Sequence, residues 1–169
     1  YAAAIVDGFC LGTATTANNS FAFNRNGVGT VVLRNNIFAN TRSGGTGFHV
    51  AMANSNAAAT GWSATASDYN LVFNATPAHV TQWLGSAAIN NLTLADFRTA
   101  SGGDANSLSG DPLFVSNSDL HIGLTSASSN VGIPFGGVTT DIDLDPRSAT
   151  TPDIGADELV NTYTVGGNV

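Results

Sequence analysis

Short apolar runs bounded by Asn, Gly, Ser or Thr dominate the first half of the chain. They are Ser20-Phe21-Ala22-Phe23, Gly29-Thr30-Val31-Val32-Leu33, Asn36-Ile37-Phe38-Ala39, Gly47-Phe48-His49-Val50-Ala51-Met52 and Tyr69-Asn70-Leu71-Val72-Phe73. Such runs are too short for helices and rich in β-branched and aromatic residues, so they predict strands. Three of them share an ending, as Phe21-Ala22-Phe23-Asn24, Ile37-Phe38-Ala39-Asn40 and Leu71-Val72-Phe73-Asn74, an imperfect repeat with intervals of 16 and 34 residues. Repeated short strands with Asn at the corners suit a solenoid. One coil cannot bury its own apolar face, stacked coils can, and a corner Asn tolerates left-handed backbone while its amide pairs with the next Asn. A twisted sandwich accommodates strands of the same length, and the pattern alone leaves both open.

One segment predicts a helix, Asn91 to Gly102. Thr93 with Asp96 three residues on forms a capping box, and Gly102-Gly103 supplies a left-handed stop, with Leu94 and Phe97 facing the body. Beyond it, Asp111-Pro112, Ile133-Pro134, Asp145-Pro146 and Thr151-Pro152 impose extended or turn geometry. Strand-like pieces persist at Leu113-Phe114-Val115, Leu120-His121-Ile122 and Thr162-Tyr163-Thr164-Val165.

Composition narrows the chemistry. The 169 residues include no Lys, five Arg and twelve acidic residues, for a net charge of −7 and a pI near 4.4. That balance opposes binding to nucleic acid or anionic lipid and weakens the case for polyanionic sugars, unless an Arg cluster or a bound cation reverses the local field. The hydrophobic fraction of 43% argues for a packed core. Cys10 is the only cysteine, so no internal disulfide forms. No run approaches the roughly 18 apolar residues that span a bilayer, which predicts no membrane insertion. The opening Tyr1-Ala2-Ala3-Ala4 lacks the basic start of a secretory signal, and the expectation is a piece cut from something longer.

An ordered series of motifs carries a resemblance. It runs through Asn35-Asn36-Ile37-Phe38-Ala39-Asn40, Ser67-Asp68-Tyr69-Asn70, Leu94-Ala95-Asp96-Phe97, Ser109-Gly110-Asp111-Pro112-Leu113-Phe114-Val115 and Asp119-Leu120-His121-Ile122. It ends with Asp141-Ile142-Asp143-Leu144-Asp145-Pro146-Arg147 and Asp153-Ile154-Gly155-Ala156-Asp157-Glu158. The series covers roughly residues 19 to 158 and resembles the C-terminal portion of bacterial parallel β-helix repeat proteins of the pectate-lyase-like superfamily, choice-of-anchor type. The resemblance implies an all-β fold, a right-handed parallel β-helix with one short helix and a loop-rich C-terminal region, over residues 1–160. Residues 161–169 would be a linker or the first strand of a following β module. It further implies an exported or cell-surface location in bacteria, a polysaccharide partner, and self-association through an open helix end. The resulting expectation is a structural or carbohydrate-binding segment, and the alternative is a polysaccharide lyase or glycoside hydrolase.

Candidate chemistry gathers at three places. Asp141, Asp143 and Asp145 alternate and are followed by Arg147. On a strand they would share one face and could hold Ca²⁺ or serve as paired carboxylates of a hydrolase, whereas in a turn they would cap backbone amides while Arg147 pairs with a carboxylate. Arg25 and Arg42 follow the repeated Asn by one or two positions and, stacked, would offer a positive flank to an acidic sugar. Trp62, in a loop-like insertion, and Tyr69 are candidates for stacking on sugar rings, while Trp83 reads as a loop anchor. His49, His79 and His121 have no short ligand spacing and read as strand or surface residues rather than zinc ligands.

Overall fold

The computed structural model describes residues 8–27, 29–56, 62, 67–75, 79–84 and 89–160. The segment 161–169, with its expected Thr162–Val165 strand, and residues 1–7 lie outside the described residues.

Among the described residues the fold is mostly β with one helix. Its strands are β1 (Gly8–Cys10), β2 (Thr13–Ala14), β3 (Ser20–Arg25), β4 (Leu33–Arg34), β5 (Ile37–Asn40), β6 (Ser43–Gly44) and β7 (His49–Asn54). They continue as β8 (Ser67–Asp68), β9 (Leu71–Asn74), β10 (Thr81–Trp83), β11 (Ile89–Leu92), β12 (Leu108–Ser109), β13 (Phe114–Ser116) and β14 (Asp119–Ile122), with α1 at Leu94–Ser101.

Two four-stranded sheets carry the first two thirds of the chain. The first has the order β1-β5-β9-β12 and is parallel throughout, with Gly8 beside Phe38, Ile37 beside Leu71, and Leu71 beside Leu108. The second sets β3, β7 and β10 parallel, with Ser20 beside His49 and Met52 beside Thr81, and ends on an antiparallel β11. Short parallel pairs join β2 to β6 and β4 to β8. Strand partners in these parallel pairs are 29 to 37 residues apart in the chain.

This pairing corrects the expected repeat. Asn40 and Asn74 are register partners in the first sheet, but Asn24 lies in β3 beside Ala53 in the second. The 34-residue interval is therefore a step between paired strands, and the 16-residue interval is a step from one sheet to the other.

Strand alternation explains why β5 is buried along its whole length. Phe38 joins a core of Met52, Trp62, Val72, Val80, Trp83, Leu94 and Phe97, which draws on both sheets and α1. Ile37 and Ala39, on the opposite side of the strand, pack with Leu71, Ile122 and Ile154. The C-terminal region thus covers the outer face of the first sheet.

Asn residues at the strand corners bond to one another. Asn70 Oδ1 accepts from the backbone N–H and the side-chain amide of Asn36, both at 3.1 Å. The Asn70 amide donates to Leu33 O at 3.0 Å and Asp104 Oδ1 at 3.2 Å, and Asn70 N–H donates to Ser107 Oγ at 2.9 Å. Both asparagines are buried, so this chain of bonds removes a desolvation cost that would otherwise fall on every corner.

Helix α1 starts directly after Thr93, as the capping box predicts, and the residues before it, 89–92, pair with β10 as a strand. Its ends follow the expected chemistry: Thr93 and Asp96 form the reciprocal capping box, and Gly102 terminates the helix at φ 73°. Leu94 and Phe97 are its buried residues.

After β12, regular structure thins to the β13–β14 hairpin, and side chains take over the backbone's hydrogen bonding. Glu158 accepts from the N–H groups of Ser148 and Asp153, both at 2.9 Å, and lies 3.5 Å from the Arg147 guanidinium. Asp153 accepts from Asn130 N–H at 2.5 Å and Leu159 N–H at 2.7 Å.

Candidate functional site

Tyr69 occupies the corner between β8 and β9 with φ 55°, and Asn35 occupies the equivalent corner between β4 and β5 with φ 56°. The two corners are stacked, Asn35 N–H donating to Tyr69 O at 2.9 Å. A left-handed corner suits Asn, whose short polar side chain bonds locally, and is unusual for Tyr. Asp68 compensates: it accepts from Tyr69 N–H at 3.0 Å, and from the Asn106 backbone at 2.6 Å and side-chain amide at 2.8 Å. Tyr69 and Asn106 are thereby held side by side.

They line a surface groove of about 620 Å³ that also takes in Arg98 from α1, Asn130, and Thr150 with Thr151. Arg98 donates to the backbone oxygens of Asp104 (2.7 Å) and Ser107, fixing the turn that carries Asn106. The groove therefore sets one aromatic residue beside the apolar side chains of Leu108, Val131 and Ile133 and the neutral polar ones of Asn106, Asn130, Thr150 and Thr151, with a guanidinium already engaged at its wall. Among the described residues no carboxylate lines it.

The other predicted residues fall elsewhere. Trp62 is 4% exposed, with its ring 5.3 Å from Phe97, 5.9 Å from Trp83 and 6.1 Å from Phe23. Its indole N–H donates to Asp104 Oδ2 at 3.3 Å. The expectation of a sugar-stacking platform is corrected for Trp62, because both its faces and its polar edge are already occupied. Trp83 is in the same cluster, as an anchor should be.

Arg25 and Arg42 form no shared flank. Arg25 is 4% exposed at the end of β3, donating to Gly29 O at 2.9 Å and Asn54 Oδ1 at 3.0 Å. Arg42 follows Asn40, whose amide reaches back to Ser20 at the opposite end of β3. Arg25 ends β3 of the second sheet, whereas Arg42 lies in the link between β5 and β6, which is why one spacing rule placed them together and the fold does not.

Residues 141–145 make a turn rather than a strand, so the three aspartates do not share a face. Asp141 N–H donates to Asp145 O at 2.9 Å, and Leu144 takes φ 70°. Buried Asp141 accepts from the N–H groups of Asp143 (2.9 Å), Asp145 (2.8 Å) and Glu158 (3.1 Å). It is thereby the organiser of the turn, and the amide-capping arrangement considered from sequence is the one present. Asp145 is exposed, and Asp143 is turned toward His121, whose Nε2 is 2.6 Å from Asp143 Oδ2. On its other side His121 bonds Asp119. These two carboxylates, Asp119 foremost, raise the imidazole to about 9, and the same contact lowers Asp119.

Sequence reasoning reached Tyr69 but not Arg98, Asn106, Asn130, Thr150 or Thr151. The recoverable signal was Asp68 before Tyr69, an Asx pair at a strand corner.

No family model, curated protein or solved structure matches the chain.

Proposed function

We propose that the chain is a segment of a right-handed parallel β-helix from an exported or cell-surface bacterial protein, and that the groove beside Tyr69 binds a neutral polysaccharide. The observation that carries the binding role is the groove itself: an aromatic residue with apolar neighbours and Asn and Thr side chains on a negatively charged protein. Sugar rings stack on aromatic faces and present hydroxyls to amides and hydroxyls, so such a lining suits a neutral chain, while the net charge of −7 disfavours an acidic one. Four sets of parallel strands, with partners 29 to 37 residues apart, support the helical-coil reading. Asn bonding between successive corners supports it as well. Strands β1 and β3 stand at the ends of their strand orders, edges on which a further coil or a second copy would pair.

The test is incubation with a panel of neutral and acidic polysaccharides, followed by sizing of each polymer and of the protein bound to it. Retention of a neutral polymer without shortening is the expected result. Tyr69→Asn keeps a residue that tolerates the left-handed corner while deleting the ring, and should weaken retention by about tenfold. Shortened polymer would replace this reading with the lyase or hydrolase alternative, and no retention on any polymer would leave a purely structural segment.

A further inference from the structure

Strand β14 presents Asp119 and His121 two positions apart, and such residues project from one face of a strand. Asp119 takes the imidazole Nδ1, which turns Nε2 away from it. Two carboxylates from distant segments approach the imidazole: Asp143 from the turn, 2.6 Å from Nε2, and Asp157 from the C-terminal stretch. One donor atom from each of His121, Asp143 and Asp157 lies within 4.8 Å of the other two.

A second observation stands apart from this convergence. Asp157 is 5% exposed; one of its oxygens accepts Ile122 N–H at 2.8 Å, and the other has no hydrogen-bond donor among the described residues. The nearby guanidinium of Arg147 is directed to Glu158 instead.

The geometry points to a divalent-cation site in which His121 Nε2, Asp143 and Asp157 are the ligands and Asp119 is the positioning residue that orients the imidazole. One imidazole nitrogen with two carboxylates suits a zinc-class ion, whereas Ca²⁺ calls for six to eight oxygens. Donors about 2.0–2.2 Å from such an ion stand a little over 3 Å apart. Asp143 stands on an exposed turn and closer to Nε2 than two ligands of one ion do, so binding swings it outward. Three protein donors leave a fourth position to water. The ion takes the place of the Nε2 proton, so binding releases a proton. Asp119, Asp143 and Asp157 are the groups that face that imidazole. This set differs from the Asp141, Asp143 and Asp145 expected from sequence, since Asp141 is spent on backbone amides.

Calorimetric titration of EDTA-stripped protein with Zn²⁺, and separately with Ca²⁺, tests the assignment. The expected result is one tight Zn²⁺ per chain, a higher Tm with the ion bound, and at least tenfold weaker binding of Ca²⁺. Asp143→Asn, at an exposed position that leaves the metal-free fold intact by circular dichroism, should weaken Zn²⁺ at least tenfold. Asp119→Asn should weaken it by about 10–100-fold without changing the stoichiometry. Absence of stoichiometric uptake overturns the proposal, as does uptake that survives unchanged in both Asp143→Asn and His121→Gln.

Discussion

Residues 8–110 and residues 111–160 solve the same problem by different means. In the first region, backbone groups pair along parallel strands, and the core is built from large apolar and aromatic side chains. In the second, regular strands shrink to one hairpin, and buried Asp141, Asp153, Asp157 and Glu158 accept the backbone N–H groups that a sheet would otherwise satisfy. Leu124, Leu144 and Val115 are exposed there, so apolar burial is thinner. The comparison teaches that a carboxylate with two oxygens can replace a stretch of ladder, at the cost of making that region depend on charge.

Breaking the first region should have the largest effect. Trp62→Ala removes a buried ring from contact with three others and strips Asp104 of a donor, for an expected loss of about 3–5 kcal/mol, read by urea unfolding. Next comes the second region. Asp153→Asn keeps the shape but sets an amide N–H₂ against either Asn130 N–H or Leu159 N–H, and should cost about 1–3 kcal/mol. Limited proteolysis should show that loss concentrated after residue 111, whereas cleavage spread over both regions would mean that they unfold as one.

The smallest effect sharpens the contrast through pH. His121 is held at about 9 in the fold against an ordinary 6.5, so its contribution is fully present below pH 6.5 and fades as pH rises through 9. In EDTA, protection of the second region should decline modestly over that interval while the first region holds, and His121→Gln should flatten the decline. An identical pH profile in the variant would assign the change to other groups.

What the sequence made legible was local. The capping box at Thr93 and Asp96 and the Gly102 stop span a few residues, and both formed where expected. Strands at 20–25, 37–40 and 71–74 were legible because their apolar content and their Asn ends lie within one run. Asn24 was misplaced because a shared ending does not say which sheet a strand joins. Trp62 was misjudged because its burial depends on Phe97 and Trp83, which local sequence does not bring to it. The groove around Tyr69 and the convergence at His121 draw on segments separated by tens of residues, and no short spacing encodes either.

The parallel registers carry a mechanical consequence. Because each strand in the two parallel stacks pairs with one 29 to 37 residues away, tension that peels a stack apart frees one such length at a time. At roughly 3.4–3.6 Å per extended residue, each rupture lengthens the chain by about 10–13 nm. A chain paired in this way lets go in instalments, absorbing work at every one, and is held by the strands still paired.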